Sequence, residues 1–170
     1  MQLAERARKL RLAIFDVDGV MTDGTLYIGA DGEAFKAFNI LDGHGMRMLQ
    51  AAGVATAIIS GRSSPAVERR ARELSIAHVV QGSADKVEAF ERLRAALGVD
   101  AESCSYMGDD LPDLGVMRRC GLAVAVPGAV EAVRQAAHYV TRAAGGRGAV
   151  REFCDLVLDA RGEQRSAPQG

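Results

Sequence analysis

Residues Leu12 to Gly24 read LAIFDVDGVMTDG, and this stretch decides how the rest of the chain is interpreted. A run of four apolar residues ends abruptly in Asp16 and Asp18, which are separated by one valine. An apolar run that ends in carboxylates is typical of a buried strand in an open α/β sheet, where sites lie at the carboxyl ends of the strands. The stretch therefore predicts a parallel strand that delivers two acids to a site.

The spacing of the two aspartates indicates what that site does. On an extended chain, Asp16 and Asp18 point to the same side, and two carboxylates this close repel each other unless a cation neutralises them. A site for a hard cation, beside a nucleophile or general acid, is therefore favoured. An EF-hand loop also begins Asp-x-Asp, but Val20, Met21 and Tyr27 occupy its fifth, sixth and twelfth positions and exclude it. A simple turn rich in Asp and Gly remains open on this stretch alone.

The composition is that of an ordinary globular protein with one core. The chain has 170 residues, of which 48% are hydrophobic and 25% are charged. The net charge is −1 and there is no tryptophan, which argues against nucleic-acid binding through a basic field or base stacking.

Cysteine usage and hydropathy indicate the compartment. Cys104, Cys120 and Cys154 form no C-x-x-C pair, so neither a zinc knuckle nor a disulfide framework is indicated, and a reducing compartment is expected. No apolar run is long enough to span a membrane, and the N-terminal residues lack the pattern of a signal peptide. We therefore expect a cytoplasmic protein with no membrane partner.

Strand and helix patterns alternate along most of the chain. Apolar strand patterns recur at 54–60, 78–80, 103–107, 122–126 and 138–141, with amphipathic stretches between them. This alternation predicts an α/β fold, a Rossmann-like parallel sheet flanked by helices.

Three other segments complete the predicted organisation. Residues 25–38 are predicted to form a β-hairpin that turns at Asp31-Gly32 and projects over the acidic loop. Asp42-Gly43-His44-Gly45 is predicted to lead into a helix. We expect a single domain over residues 1–160 and a flexible tail over residues 161–170.

Polar residues follow several of the predicted strands. They are Asp16 and Asp18 after the first, Ser60 and Arg62 after the second, and Asp109, Asp110 and Asp113 after the fourth. Lys86 begins a long amphipathic helix. Because parallel strands bring these ends to one edge of the sheet, acids, a hydroxyl and an ammonium group are expected together. That set suits a Mg²⁺-assisted phosphoryl site.

The order of these motifs resembles a known superfamily. The chain contains D-x-D-G-V-x-T-D from Asp16, I-S-G-R at 59–62, a lysine, and G-D-D-x-x-D at 108–113. This ordered set is similar to that of the haloacid dehalogenase superfamily of aspartate-nucleophile phosphatases. Further stretches resemble its cap-less members that act on 3-deoxy-D-manno-octulosonate 8-phosphate (KDO 8-phosphate). These stretches are Asp42-Gly43-x-Gly45, Gly61-Arg62, Val67-Glu68-x-Arg70, Gln81-Gly82 and residues 144–152.

The resemblance implies a role for each matching residue. Asp16 matches the nucleophile that forms an aspartyl-phosphate, and Asp18 matches the general acid that protonates the leaving oxygen and then activates water. Ser60 matches the hydroxyl that holds a phosphoryl oxygen. Lys86 matches the cation that offsets charge on the phosphate and on the nucleophile.

The resemblance also implies a magnesium site. Asp16 and Asp109 are the expected side-chain ligands, and Asp18 is expected to contribute its backbone carbonyl. Asp110 and Asp113 match supporting acids of the same loop, expected to assist the ligands and to orient Lys86.

Substrate choice follows less directly. The resemblance implies phosphate release from KDO 8-phosphate in the synthesis of the inner core of lipopolysaccharide. Gly61, Arg62, Arg70 and Arg147 are expected to bind substrate, the arginines by pairing with the carboxylate of the sugar acid. The segment Ser63–Ala66 departs from the basic and apolar residues expected there, so a nine-carbon sugar-acid 9-phosphate remains an alternative substrate.

The chain leaves no room for a cap domain. Between Asp18 and Ser60 lie only the hairpin and one helix, and between Ser60 and Lys86 only one helix and a short strand. A phosphoryl site nevertheless has to control water. We therefore expect the lid to come from another subunit through the hairpin, and the resemblance implies a homotetramer. Whether the C-terminal tail also enters a neighbouring site stays open.

Two other functions are considered. Similar domains occur as silent oligomerisation modules, but these usually lack a motif residue, whereas Asp16, Asp18, Ser60, Lys86 and Asp109 are all present. A response-regulator receiver carries its phosphorylated aspartate at the end of a later strand, and no lone aspartate here fits that position. An enzyme is therefore the favoured interpretation.

Overall fold

The apolar run at Leu12–Phe15 forms a strand, β1, inside a six-stranded sheet in the computed structural model, which describes residues 1–163. The other strands are β2 (Tyr27–Gly29), β3 (Gly32–Phe35), β4 (Ala55–Ile59), β5 (His78–Val80), β6 (Cys104–Gly108), β7 (Leu122–Ala125) and β8 (Tyr139–Val140). The helices are α1 (Leu3–Arg8), α2 (Ile40–Ala51), α3 (Pro65–Glu73), α4 (Lys86–Leu97), α5 (Leu114–Met117), α6 (Glu131–Ala136) and α7 (Ala149–Arg161). All four side chains of β1 are buried, as expected for a strand covered on both faces.

The sheet is entirely parallel, with the strand order β5-β4-β1-β6-β7-β8. Helix α7 packs against α1 and α2, which gives one group of helices. Helix α5 packs against α4 and α6, which gives a second group. Because the crossovers run in opposite directions from the centre of the sheet, right-handed connections place these two groups on opposite faces. The predicted α/β fold is confirmed.

Strands β2 and β3 form the predicted hairpin, separate from the main sheet. The turn follows β2, and Gly32 adopts φ +107°, a conformation that favours glycine. Tyr27 and Phe35 stack across the pair with their ring centroids 4.4 Å apart. The hairpin has no hydrophobic core of its own and leaves Ile28 and Phe35 66% and 56% exposed.

The start of α2 differs from the prediction. The helix begins at Ile40, so Asp42-Gly43-His44-Gly45 lies inside it rather than before it. Asn39 caps the helix, and its side-chain oxygen accepts hydrogen bonds from the backbone N–H groups of Leu41 and Asp42. The two glycines allow close packing inside the helix: a Cβ on Gly43 would lie 2.4 Å from an Arg70 nitrogen.

The C-terminal helix is longer than predicted. Arg161, with which the predicted tail begins, is the last residue of α7. Its guanidinium donates hydrogen bonds to the carbonyl oxygens of Leu10 and Ala52. The remainder of the predicted tail, from residue 164 onward, lies outside the described residues. Across residues 1–163, the longest apolar helices still fall short of what crossing a bilayer requires.

Candidate active site

The predicted site residues meet at one edge of the sheet. Asp16 follows β1, Ser60 follows β4, and Asp109 follows β6, and these three strands are adjacent and parallel. A cleft of about 340 Å³ opens between them. Its lining residues are Asp16, Asp18, Gly24, Ser60, Gly61, Arg62, Ser83, Ala84, Lys86, Asp109, Asp110, Pro112 and Asp113. The topology thus brings together most of the residues that the motifs identified.

Lys86 joins two of the acids. Its Nζ lies 2.9 Å from Asp16 Oδ2 and 2.7 Å from Asp113 Oδ1, and the lysine side chain is only 7% exposed. Burial alone would lower the pKa of Lys86, but the charges and hydrogen bonds of the two aspartates raise it above its ordinary value. Helix α4 begins at this lysine because the preceding Asp85 caps it. A permanent ammonium group is therefore fixed beside Asp16.

Asp113 is fully buried and every hydrogen bond it makes supports the site. Its Oδ1 accepts from Lys86 and, at 2.8 Å, from the hydroxyl of Tyr106. Its Oδ2 accepts from the backbone N–H groups of Asp109 and Asp110 at 2.9 and 3.1 Å. A Cβ at Gly108 would lie 2.6 Å from this carboxylate, so the glycine makes room for it. Asp113 is therefore committed to orienting Lys86 and the loop after β6.

Asp109 lacks such partners. Among residues 1–163, its carboxylate has neither a hydrogen bond nor an ion pair. Burial raises its pKa to about 7, and the negative charges of Asp16, Asp113 and Asp110 add to the effect. A Cβ on Gly19, which has φ +85°, would lie 2.0 Å from Asp109 Oδ2. The carboxylate thus sits directly against the acidic loop with its charge uncompensated.

These acids fit a hard divalent cation. Asp16, Asp109 and Asp113 each place an oxygen within 4.8 Å of the others. Because Asp113 already accepts four hydrogen bonds, the unbalanced charge lies on Asp16 and Asp109. Burial and Asp113 raise the pKa of Asp16 to about 6 in spite of Lys86. Asp16 is buried and Asp109 is partly buried, and carboxylates that are costly to ionise alone are donors that Mg²⁺ accepts.

The side chain of Asp18 points away from that group, toward the hairpin. Its Oδ1 lies 2.6 Å from Lys36 Nζ, and its Oδ2 lies 3.5 Å from Arg62 Nε. Asp18 therefore offers only its backbone to a cation shared by Asp16 and Asp109. Its carboxylate lies at the opposite side of the cleft, where a leaving group would be.

Lys36 and Glu33 were not predicted as site residues. Lys36 is 3% exposed and also contacts Glu33 Oε2 at 2.9 Å. Glu33 Oε1 accepts a hydrogen bond of 2.6 Å from Ser64 Oγ, so that hydroxyl does not cap its own helix, α3. One observation could have identified Lys36 from the sequence. The hairpin was predicted to project over the acidic loop, and a lysine on such a hairpin would lie close to a carboxylate of that loop.

The predicted substrate-binding residues separate into two groups. Gly61 and Arg62 line the cleft. Arg147 is 73% exposed, lies 3.8 Å from Asp23, and borders a second cleft of about 360 Å³ that also contains Asp109. Arg70 lies outside both clefts, because α3 turns it toward α2 and Glu73, and its contact with substrate stays a prediction.

Asp110 caps the short 3₁₀ turn that follows β6. It is exposed, and its side chain accepts a hydrogen bond from the N–H of Leu111 at the start of a short 3₁₀ turn. It lines the cleft without contacting Lys86, which matches a supporting position rather than a ligand.

Comparison with known proteins agrees with this geometry. The profile of haloacid dehalogenase-like hydrolases matches residues 73–153. A 3-deoxy-D-manno-octulosonate 8-phosphate phosphatase of Yersinia pestis is 49% identical over 163 residues, which are 96% of this chain and 87% of that protein. The crystal structure of a Yersinia pestis phosphatase of that name has a TM-score of 0.94 and 48% identity, covering 97% of this chain and 89% of that one.

A second solved structure was obtained with ligands. The 3-deoxy-D-manno-octulosonate 8-phosphate phosphatase of Moraxella catarrhalis, in complex with magnesium, phosphate and KDO, has a TM-score of 0.91 and 43% identity. The match covers 94% of this chain and 91% of that one. The resemblance inferred from the motifs is thereby confirmed. This chain belongs to the 3-deoxy-D-manno-octulosonate 8-phosphate phosphatases, within the haloacid dehalogenase-like hydrolases.

Proposed function

We propose that this chain is a Mg²⁺-dependent phosphatase that hydrolyses KDO 8-phosphate to KDO and phosphate in the synthesis of lipopolysaccharide. The observation that carries the proposal is the buried ammonium of Lys86 between Asp16 and Asp113, in a cleft that also holds Ser60 and Asp109. This arrangement supplies a carboxylate nucleophile and donors for phosphoryl oxygens in one place. The high identity to KDO 8-phosphate phosphatases supports the choice of substrate.

The first half of the reaction transfers the phosphoryl group to the protein. A carboxylate oxygen of Asp16 attacks phosphorus, and the bond between phosphorus and the sugar oxygen breaks. Protonated Asp18 donates its proton to that oxygen, so the sugar leaves as an alcohol. Lys86 and the Ser60 hydroxyl stabilise the charge on the phosphoryl oxygens.

The second half restores the nucleophile. A water molecule gives a proton to Asp18 and attacks phosphorus, and the bond between phosphorus and the Asp16 oxygen breaks. Phosphate leaves, Asp16 is again a carboxylate, and Asp18 is again protonated. One proton is therefore donated and regained by the same side chain.

The metal site uses the two acids whose charge is least balanced inside the fold: Asp109, which has no side-chain partner among residues 1–163, and Asp16, which shares Lys86 with Asp113. Asp16 and Asp109, with the backbone carbonyl of Asp18, would hold Mg²⁺, which when bound neutralises phosphoryl charge. Asp113 remains with Lys86 and Tyr106 and keeps the lysine in place.

Recognition of the sugar acid falls to the open side of the cleft. Arg62 lies beside Asp18 and is half-exposed, so its guanidinium is accessible to a carboxylate. Arg147 borders the adjoining cleft and is largely free of protein contacts. We assign the carboxylate to one of these two arginines.

We further propose that the hairpin assembles the protein as a homotetramer in the cytoplasm and supplies a lid to a neighbouring site. Leu26, Ile28 and Phe35 on the hairpin are 43%, 66% and 56% exposed, and Ile40 and Leu41 at the start of α2 are 79% and 55% exposed. Large apolar side chains exposed on two consecutive elements support an interaction site on this side of the molecule. A monomer with full activity in sedimentation at micromolar concentration would contradict this assembly.

The proposed substrate is tested by phosphate release in the presence of Mg²⁺. KDO 8-phosphate is compared with a nine-carbon sugar-acid 9-phosphate and with p-nitrophenyl phosphate, using Asp16→Asn as the inactive control. We expect a strong preference for KDO 8-phosphate that the variant abolishes. Preferred turnover of the nine-carbon acid would keep the mechanism and change the substrate. No turnover of any ester would favour a silent oligomerisation module.

A further inference from the structure

Two glycine-containing motifs supply none of the groups that act on phosphorus, and they belong to elements that contact each other. Asp42-Gly43-His44-Gly45 belongs to α2, and Gly145-Gly146-Arg147-Gly148 leads into α7. Helix α2 packs along α7. A Cβ on Gly45 would lie 2.9 Å from Arg151 Cδ and 3.1 Å from Cys154 Cβ, so the glycine sets how closely the helices approach.

Asp42 provides the N-terminal cap that α7 lacks in its own sequence. The N-cap residue of α7 is Gly148, which has no side chain to accept a hydrogen bond. Asp42 Oδ1 instead accepts a 2.9 Å hydrogen bond from the backbone N–H of Arg151, the third residue of α7. A carboxylate at this end is also favoured by the helix dipole.

The carboxylate is kept at this place at some cost. Asp42 is 3% exposed, and its Oδ2 is buried without a hydrogen-bond partner among residues 1–163. Burial raises its pKa, while hydrogen bonds from Arg151 and Gly148 and the charge of Arg151 oppose that rise. A neutral residue would avoid the free-energy cost of burying a charge. We infer that the carboxylate offsets this cost by fixing the position of α7.

The loop before α7, which contains Gly145 and Gly146, packs directly against the acidic loop of the active site, residues 16–24. The N–H of Gly146 donates a 3.0 Å hydrogen bond to the carbonyl of Val20. A Cβ on Gly145 would lie 1.8 Å from the Gly19 carbonyl oxygen, and one on Gly146 would lie 2.5 Å from the backbone of Thr22. These distances show that the backbones of the two loops are already closely packed, so the loops have no space to move toward each other.

The acidic loop that Gly145 and Gly146 contact is itself in contact with the proposed metal ligands. Gly19 is in contact with the Asp109 carboxylate. It also follows Asp18 directly, whose carbonyl is a proposed ligand. A displacement of the α7 end by a few tenths of an ångström would therefore change the spacing between the acidic loop and Asp109.

We propose that Asp42 is a positioning residue for the reaction: by capping α7 from α2, it holds Gly145 and Gly146 against the acidic loop and so sets the spacing of Asp16 and Asp109. This inference rests on the proposed function for its catalytic consequence. Its structural content, a cap supplied by one helix to another, is independent of the substrate.

The test compares Asp42→Ala, Asp42→Asn and the control Val157→Ala in the full chain. Val157 is fully buried in the C-terminal half of α7, so its truncation destabilises the same helix away from the capped end. Three quantities are measured: amide hydrogen exchange of residues 17–24 without metal, the Mg²⁺ concentration that half-saturates the rise in melting temperature, and kcat and KM for KDO 8-phosphate.

Asp42→Ala is expected to speed exchange of residues 17–24 and to weaken Mg²⁺ binding about fivefold to tenfold, the size of a lost helix cap. The kcat should fall with little change in KM. Asp42→Asn retains an oxygen acceptor for Arg151, but it replaces the buried Oδ2 with an amide group and removes the negative charge, so it should restore part of each loss. Val157→Ala should lower the melting temperature without altering exchange or Mg²⁺ binding.

Two results would overturn the inference. One is an Asp42→Ala protein with wild-type exchange at residues 17–24 and wild-type Mg²⁺ binding. The other is an equal loss in Val157→Ala, which would mean that stability alone is responsible. Failure of the wild-type protein to hydrolyse KDO 8-phosphate would instead contradict the proposed substrate, because exchange and Mg²⁺ binding are measured without it.

Discussion

The two sides of the cleft are built differently. On the phosphoryl side, Asp16, Lys86 and Asp113 are each less than one-tenth exposed and belong to the core of the sheet. On the opposite side, Asp18 and Arg62 are 24% and 48% exposed and are held by the hairpin. The first side has its hydrogen bonds completed within the core, whereas the second depends on a two-stranded unit with no core of its own.

This difference teaches how one fold combines fixed chemistry with adjustable specificity. Attack on phosphorus needs a nucleophile and a cation whose positions do not vary, and burial with paired hydrogen bonds provides that. Contact with the sugar needs a surface that varies between enzymes and closes over different leaving groups. In the proposed assembly, the exposed apolar side chains of the hairpin would supply such a surface.

The strongest test of the phosphoryl side is Asp16→Asn. The amide oxygen is a far weaker nucleophile than a carboxylate, so kcat should fall by about 10³-fold or more while the fold is kept. Phosphate release from both KDO 8-phosphate and p-nitrophenyl phosphate measures the effect, and circular dichroism checks the fold. Substantial activity in this variant would assign the nucleophile to another residue and remove the distinction between the two sides.

The next test removes the support of Lys86. Asp113→Ala leaves a buried ammonium with one partner fewer and frees the N–H groups of Asp109 and Asp110. We expect a loss of about 3–5 kcal/mol in the free energy of unfolding and about 10²-fold in kcat. Urea denaturation and phosphate release measure the two effects.

The control for Asp113→Ala is Asp100→Ala. Asp100 is exposed before a short 3₁₀ turn, where its side chain makes no cap hydrogen bond. Its removal should change the free energy of unfolding by less than about 0.5 kcal/mol. Equal losses in both variants would show that the buried network is no more important than a surface acid.

The hairpin side is tested by Lys36→Met, which removes the side chain that fixes the position of the Asp18 carboxyl group in the cleft. Proton donation matters for a sugar oxygen but little for p-nitrophenolate, which leaves without a proton. We therefore expect kcat for KDO 8-phosphate to fall about tenfold and that for p-nitrophenyl phosphate to change less than about twofold. Lys9→Met, at an exposed lysine after α1, is the matched control.

An equal loss on both esters would contradict the assignment of Lys36 to the leaving-group side. It would place Lys36 with the phosphoryl machinery, and the two sides of the cleft would then form one unit. Loss in Lys9→Met would point to an effect of net charge alone.

The same contrast explains what the sequence could predict. The strand and the acids at its end are local features, so β1, Asp16 and Asp18 follow from a short apolar run that ends in acids. The prediction that the two carboxylates point to the same side is wrong, because β1 ends at Phe15 and the chain after it is not extended. Lys86 and Asp109 follow because parallel strands bring distant ends together. The contacts of Lys36 and Glu33 depend on how the hairpin docks, which no local pattern specifies, so their part in the site was not predicted.

The helical segments show a second limit. Asp42-Gly43-His44-Gly45 was predicted to lead into α2 rather than to lie within it, and its two glycines would weaken an isolated helix. In the fold they are tolerated since α3 and α7 pack where side chains would be. Arg70 was expected at the substrate for its charge, but it lies three residues after Val67 and beside Ala71, on the inward side of α3.

The smallest expected effect concerns the uncompensated charge of Asp109. Its pKa is about 7 in the folded protein against 3.8 for an unperturbed aspartate. Between these two pH values the folded state holds a proton that the unfolded state has released, so ionisation of Asp109 lowers the stability of the metal-free protein as pH rises through this window. Asp109→Asn removes that penalty. With allowance for solvent screening, the variant should gain about 1 kcal/mol, or about 2–4 °C, over wild type at pH 8.

At pH 4, below most of this window, the two proteins should melt at nearly the same temperature, and Asp110→Asn, at the exposed neighbouring acid, should not reproduce the gain at pH 8. Saturating Mg²⁺ should raise the melting temperature of wild type more than that of Asp109→Asn, because binding to the folded state alone stabilises it. A variant that is less stable than wild type without metal at pH 8 would mean that Asp109 has a partner inside the fold. The contrast between a fully paired Asp113 and an unpaired Asp109 would then fail, and with it the reason for placing the cation at Asp16 and Asp109.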